Sequence, residues 1–209
     1  MASKSAGSRP PLRKTPGDLR MAILETSLVL IDKKGVAGLS MREVARRLGV
    51  THQAPYHHFE GRGAIVRAIV DEGFAKLGTA LTRAVRPEQS ALENYTATGH
   101  AYVRFALTHS AYFRLMFRPE LVPPRTVPKG EDKSNAPDSF AVLVDCVRAL
   151  QREGHVAAGD PMETVLLSWA AVHGIASLTL DGPARNQPGF PKETAVVDAL
   201  SALLARPLR

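Results

Sequence analysis

Apolar positions recur at helical spacing along nearly the whole chain. Ile23, Leu24, Ser27, Leu28, Leu30 and Ile31 trace one face of a first helix that ends at Gly35. Ser40 followed by Glu43 reads as a capping box opening a short helix, Met41–Leu48, which stops at Gly49; a second short helix begins near Thr51. Gly61 opens a longer helix through Ile65, Ile69, Phe74 and Leu77 toward Val85, closed by Pro87. Leu92, Tyr95, Tyr102, Val103 and Ala106 mark the next, with a short aromatic helix over Ala111–Phe117 after it. Arg118–Pro137 holds five prolines and Gly130, so no helix is expected to cross it and a mobile loop is predicted. Phe140, Leu143, Val144, Val147 and Leu150 restore the period as far as Gly154. Asp160-Pro161 caps an apolar helix reaching Asp181-Gly182, and a connector (183–191) leads to a last helix, Glu193–Ala205. With no sustained alternation and no Asn-Gly hairpin, the expected class is all-α.

Composition supports a globular protein: 209 residues, 44% hydrophobic and 22% charged. The single cysteine, Cys146, excludes an internal disulfide framework and a cysteine-rich zinc module, and the reducing cytoplasm is the expected compartment. Residues 1–17 are Ser-, Gly-, Pro- and base-rich without an apolar run, which predicts a flexible basic arm rather than a signal peptide. Thr164–Leu180 carries His173, two serines and two threonines, so a helix buried in protein is expected rather than a membrane span. The net charge of +7 is uneven: Met1–Glu60 has ten basic residues against five acidic, and the remainder is close to neutral. An anionic partner is therefore expected at the N-terminal end.

That end also carries the informative spacing. Two short helices meeting at a tight turn need a small residue at the contact, a residue tolerant of positive φ in the turn, and apolar anchors. Ala45, Gly49, and Val44, Leu48, Val50 and Ala54 supply these at helix-turn-helix spacing. Thr51 is placed to cap the second helix and to reach a phosphate, with Pro55 in its first turn. His52 and Gln53 then point outward where base edges would lie, and Gln bonds adenine in bidentate fashion. Tyr56, His57 and His58 present polar tips suited to phosphate oxygens; His58-Phe59 reads equally as a packing pair. Arg42, Arg46 and Arg47 divide into one outward arginine and two solvated or paired ones. The arm's Lys4, Arg9, Arg13 and Lys14, with Arg20, either reach a minor groove or form a solubilising tail. No metal is expected at the three histidines, which lack an HExxH or cysteine companion.

The run from the helix ending at Gly35 through Ser40-Met-Arg42-Glu-Val-Ala-Arg-Arg-Leu-Gly-Val50 to Tyr56-His-His-Phe59 and Arg62 resembles the TetR family of bacterial transcriptional regulators. Arg62 stands where that family usually has lysine. Farther on, Trp169-Ala-Ala-Val-His173-Gly174, with Tyr102-Val-Arg-Phe-Ala-Leu and Tyr112-Phe-Arg-Leu-Met-Phe upstream, is similar to a TetR ligand-domain subgroup with a Trp…His-Gly signature. The resemblance implies an all-helical dimer with an N-terminal three-helix DNA-binding unit (18–62) and a C-terminal effector-binding and dimerisation domain (63–209). The implied DNA contacts are Ser40, Arg42, Thr51, His52, Gln53, Tyr56, His57, His58 and Arg62.

In the second half, His100, Phe105, Tyr112, Phe113, Met116, Phe117, Trp169 and His173 are candidates to line an effector pocket, against the competing reading of an aromatic core. His173 reads as a ligand contact or as a core histidine bonded to a backbone carbonyl. Arg104 or Arg114 beside the pocket would favour an acidic or carbonyl-bearing effector. Cys146 reads as core or as a redox sensor. Ala170, Gly174 and Ser177, together with Val197, Leu200 and Leu204 of the last helix, are the candidate dimer interface. The expected partners are a double-stranded, pseudo-palindromic operator, a small-molecule effector and a second copy of the chain, with no membrane. No cofactor and no catalysis are expected, since no nucleophile motif or metal-ligand spacing accompanies the histidines.

Overall fold

A computed structural model describes residues 16–122, 138–182, 188–189 and 191–204, so the arm at 1–15, the Pro-rich stretch at 123–137 and most of the 183–191 connector lie outside the described residues. The described elements are helical, and no strand occurs among them. The chain divides into two compact units, the main change falling between Ile69 and Val70, with Glu120 to Val122 grouped with the first unit.

In the N-terminal unit, α1 (Pro16–Lys34) stops at Gly35, whose φ of 69° turns the chain and whose N–H bonds the Ile31 carbonyl at 2.8 Å. A 3₁₀ turn (Val36–Gly38) leads to α2 (Met41–Leu48). At its end Gly49 takes the left-handed conformation (φ 67°, ψ 29°), and Val50 N–H bonds the Ala45 carbonyl at 3.1 Å, closing the last turn. Ile23, Leu24, Leu30, Val44, Ala45, Phe59, Ile65 and Ile69 are buried and form the core of this unit.

Two local expectations are corrected. The predicted α-helix from Thr51 is a 3₁₀ turn over Ala54–His57, with Gln53 preceding it and no side-chain cap from Thr51; the Thr51 carbonyl, not its hydroxyl, accepts from Ala54 N–H at 3.0 Å. Pro55, buried inside that turn, has no N–H to give an α-helical ladder. The capping box at Ser40 is half-formed. Its hydroxyl accepts from Glu43 N–H at 3.5 Å, but the Glu43 carboxylate turns forward to Arg46 and Arg47 at 2.8 and 2.9 Å. The reciprocal box closes instead at Ser90 and Glu93, where the carboxylate accepts from Ser90 N–H at 2.8 Å. Glu93 is followed at i+3 and i+4 by Thr96 and Ala97, so no cation draws it away.

The C-terminal unit takes up α3 (Arg62–Ala84) from Val70 onward, then α4 (Ala91–Thr108), α5 (Ser110–Met116), α6 (Ser139–Arg152), α7 (Met162–Leu180) and α8 (Glu193–Leu204). A 3₁₀ turn, Pro119–Leu121, opens the Pro-rich stretch. Helix α4 is central, packing against α5, α6, α7 and α8. One core cluster joins Tyr95, Cys146, Val147, Leu150 and Val165. Cys146 is buried 3.6 Å from Thr98 Oγ1, and burial pushes its thiol pKa up, which fits a core residue and not a reactive thiolate.

Thr164–Leu180, expected as a helix buried in protein, is buried along one face only in the protomer. Val165, Ser168, Val172, Ala176 and Leu180 are buried on one face of α7, whereas Leu166, Leu167 and Leu178 are exposed on the other. By length and composition alone this helix is apolar enough to cross a membrane; its inner face packs against α4, α6 and α8.

Gly49→Ala places a Cβ in the left-handed region and is expected to destabilise the N-terminal unit by about 1–2 kcal/mol. The midpoint of chemical unfolding checks this; an unchanged midpoint would show that the turn relaxes freely.

Candidate nucleic-acid interface and ligand cavity

The helix-turn-helix leaves one polar edge open to solvent. Thr51, His52, Gln53, Tyr56 and His57 are all exposed, with the His52 and Tyr56 rings 5.7 Å apart, while Pro55 and Phe59 face inward. His58 is half-buried at the end of the 3₁₀ turn, its N–H on the Pro55 carbonyl at 3.1 Å. Ser40 and Arg42 are exposed at the start of α2. Arg46 and Arg47 are held by Glu43, whose carboxyl their guanidinium hydrogen bonds hold down at about 2. Arg62 is exposed and donates to the Ala37 carbonyl at 3.4 Å, tying the start of α3 to the turn before α2. Arg20 lies over the Phe59 ring at 5.2 Å, a cation–π contact that buttresses the core.

Within the C-terminal unit a cavity of about 230 Å³ opens between α3, α4, α6, α7 and α8. Six aromatic residues contribute to its wall (Phe74, Tyr95, Tyr102, Phe117, Phe140 and Trp169), together with leucines, valines and four small hydroxyl residues. The Tyr102 hydroxyl sits at a junction: Trp169 Nε1–H donates to it at 3.2 Å, and His173 Nδ1 lies 2.9 Å away. Tyr95 donates to Ser168 at 2.8 Å. Burial pushes both tyrosine pKa values up and the His173 pKa down, so all three groups are neutral near pH 7.

Comparison with known proteins gives each half a family match. Residues 23–69 match the family described as bacterial regulatory proteins, tetR family, and residues 95–204 match the tetracyclin repressor-like C-terminal domain. The chain belongs to the TetR family. A Rhodococcus sp. RHA1 protein of unknown function superposes with a TM-score of 0.74 at 32% identity, over 94% of this chain and 97% of that one. AibR, solved with isovaleryl coenzyme A and operator DNA, superposes at 0.64 over 91% of this chain and 100% of its own; at 18% identity the likeness is one of fold. An HTH-type transcriptional repressor of Mycobacterium tuberculosis is 31% identical over 91 residues, 44% of this chain and 46% of its own. Thus the aligned stretch spans about half the length of the curated relatives it matches.

Set in the TetR fold, the sequence-derived pocket residues separate. Trp169 and Phe117 line the cavity; His100, Phe105, Tyr112, Phe113, Met116 and His173 do not. Their positions explain why. Tyr112 donates to Glu72 at 3.0 Å, and Met116 packs where a Cβ on Gly73 would stand 2.6 Å from its sulfur, so both close the α3–α5 contact. Phe105 stacks on His109 at 4.8 Å. Phe113 and His173, 5.2 Å apart, stand behind Tyr102, and half-buried His173 bonds through Nδ1 to the Tyr102 hydroxyl rather than to a carbonyl. His100 binds Asp198 at 2.7 Å and lines a separate groove of about 180 Å³ with Arg104. Arg114 pairs with Asp181 at 2.8 Å, so neither arginine reaches the cavity.

Of the interface candidates, Val197 is 1% exposed and half-buried Leu200 stands beside it in the cavity wall, so in the protomer both contribute to the cavity. Ala170 is exposed, Gly174 and Ser177 are half-exposed on α7, and the Leu204 side chain lies outside the described residues. Sequence reasoning missed Tyr95, Thr98, Ser168 and Val172 as wall residues. The signal available was the i, i+3, i+7 spacing of Tyr95, Thr98 and Tyr102, which puts three hydroxyls on one face of α4.

Because burial lowers the folded-state pKa of His173 below its ordinary 6.5, the unfolded chain takes up the proton first. The stability that depends on neutral His173 is complete above pH 6.5 and is lost as pH falls through the folded-state value. Comparing unfolding midpoints at pH 7.5 and 5.5, His173→Asn is expected to lose less stability on acidification than the unsubstituted protein; an equal loss would remove His173 from the acid response.

Proposed function

We propose that this TetR-family chain is a homodimeric, ligand-responsive DNA-binding repressor that leaves its operator when a small molecule fills the C-terminal cavity. One observation carries the reading: a contiguous row of exposed hydroxyl, imidazole and amide side chains, Thr51 to His57, set on a buried Pro55–Phe59 base. Gln53 and His52 read base edges; Tyr56, His57, Thr51, Ser40, Arg42 and Arg62 contact phosphates, with half-buried His58 at the margin. The reading residues His52 and Gln53 are sequence neighbours immediately before the 3₁₀ turn that carries Tyr56 and His57. The arm (1–17), the DNA-binding domain (18–62) and the effector and dimer domain (63–209) form the working division. Trp169 and His173, both bonded to the Tyr102 hydroxyl and followed in sequence by Gly174, support a C-terminal domain of the Trp…His-Gly type.

Two-fold pairing sets half-site centres about 34–36 Å apart or a multiple of that. The exposed face of α7, with Leu166, Leu167, Ala170, Gly174 and Leu178, and Leu203 on α8, supports the dimer surface. An effector that relieves repression about 100-fold must favour the released state by about 2.7 kcal/mol. Acting on the bacterial chromosome, such a regulator works in the cytoplasm.

Selection from a random duplex pool is expected to return a dyad-symmetric site. On that site Gln53→Ala is expected to cost about 1–3 kcal/mol while leaving random DNA nearly unaffected, and Arg62→Ala to weaken all sequences alike and reduce the salt slope by roughly one. A selected site without a dyad, or equal losses for Gln53→Ala on both duplexes, would overturn the reading. In Gly174→Glu the added Cβ meets nothing within 4 Å in the protomer. It is expected to sediment as a folded monomer; an intact dimer would place the interface elsewhere.

A further inference from the structure

The hydrogen-bond donors in the cavity wall are already spent. Tyr95 donates to Ser168, and Ser168 to the Thr164 carbonyl at 2.6 Å. Thr98 donates to the Asn94 carbonyl at 2.7 Å, and Ser201 to the Val197 carbonyl at 3.1 Å. The Trp169 indole, which can only donate, gives its hydrogen to Tyr102; with the imidazole proton on Nε2, the Tyr102 hydrogen goes to His173 Nδ1. Only Ser139, half-exposed at the first residue of α6, keeps an uncommitted hydroxyl among the described lining residues, and none of those residues is charged. Beyond the Ser139 hydroxyl, what the wall retains is oxygen lone pairs and apolar surface.

From this we infer that the cavity takes an uncharged, largely apolar, ring-sized molecule bearing at most a hydroxyl, and that it discriminates against carboxylates and other anions. A carboxylate entering here would lose its hydration and meet acceptors instead of donors, whereas a ligand hydroxyl could donate to a spare lone pair. Size follows from volume. An apolar cavity of about 150 Å³ holds benzene, so this one suits roughly nine or ten non-hydrogen atoms. The inference rests on reading this cavity as the effector site of the regulator, but its test does not require DNA.

Trp169 is the only tryptophan of the chain and stands in the wall, so its emission reports occupancy. The probes are 2-cyclohexylethanol and its carboxylate counterpart, cyclohexylethanoate, titrated into the full chain at pH 7.5. The alcohol is expected to shift Trp169 emission saturably and the carboxylate to bind at least about 30-fold more weakly. A carboxylate that binds as tightly, or an alcohol that does not saturate, overturns the inference. Val172→Phe is expected to abolish alcohol binding with helicity retained, and undiminished affinity in that variant would overturn the site. Leu200→Arg supplies a cation at the wall and is expected to strengthen carboxylate binding at least about 10-fold; no gain would also overturn it. Affinity for the selected duplex, measured alongside, separates the two readings. An alcohol that binds without releasing DNA removes the effector role and leaves the ligand class standing. A carboxylate that binds and releases DNA does the reverse.

Discussion

Three hydroxyl-bearing residues on one face of α4, Tyr95, Thr98 and Tyr102, are buried, and each must find a partner where water cannot reach. An unpaired buried hydroxyl costs about 1–3 kcal/mol, a large fraction of a domain's net stability. Thr98 turns back on its own helix, but the tyrosines reach across to Ser168, Trp169 and His173 on α7. That seam sets the register of α7 against α4, since sliding either helix by one turn would strand several polar groups at once. It also explains the character of the neighbouring space. The polar groups that could have faced a ligand face each other, so the cavity is left with ring edges and aliphatic carbons.

The N-terminal unit answers a different problem, how to hold a polar edge out from a small core. Backbone geometry does most of this. Gly35 and Gly49 adopt positive φ at the ends of α1 and α2, allowing α2 to turn sharply toward the 3₁₀ segment. Pro55 and Phe59 bury beneath that segment, so the intervening polar residues have no inward alternative. Glu43 spends its carboxylate on Arg46 and Arg47, while Arg42 and Arg62 stay exposed at the starts of α2 and α3. A helix cap is thereby weakened while the local charge pattern is ordered.

Helix α7 serves the seam with one face and carries exposed leucines on the other. A helix with this division is incomplete as a solvent-facing element, and an apolar surface of this kind is the ordinary mark of an interaction site. The same helix therefore holds the polar network on one side and offers close approach on the other. Gly174, which has open space where a side chain would stand, lies on that helix one position after His173.

Apart from the segment after Thr51, which is a 3₁₀ turn, the order and approximate ends of the α-helices were legible in the amino-acid sequence, because periodicity, prolines and stop glycines act within a few residues of themselves. So was the solvent-facing row from Thr51 to His57, whose exposure follows from the apolar anchors beside it. The sequence did not decide which aromatic residues meet the cavity. Trp169 and Phe117 do, while Tyr112, Phe113 and Met116, of the same chemical kind, close helix contacts instead. Nor did it decide that Val197 and Leu200 point inward, or that Glu43 abandons its cap. Those outcomes depend on how far each helix is rotated about its axis and on which competitor stands within reach, and both are set by packing between residues distant in the chain.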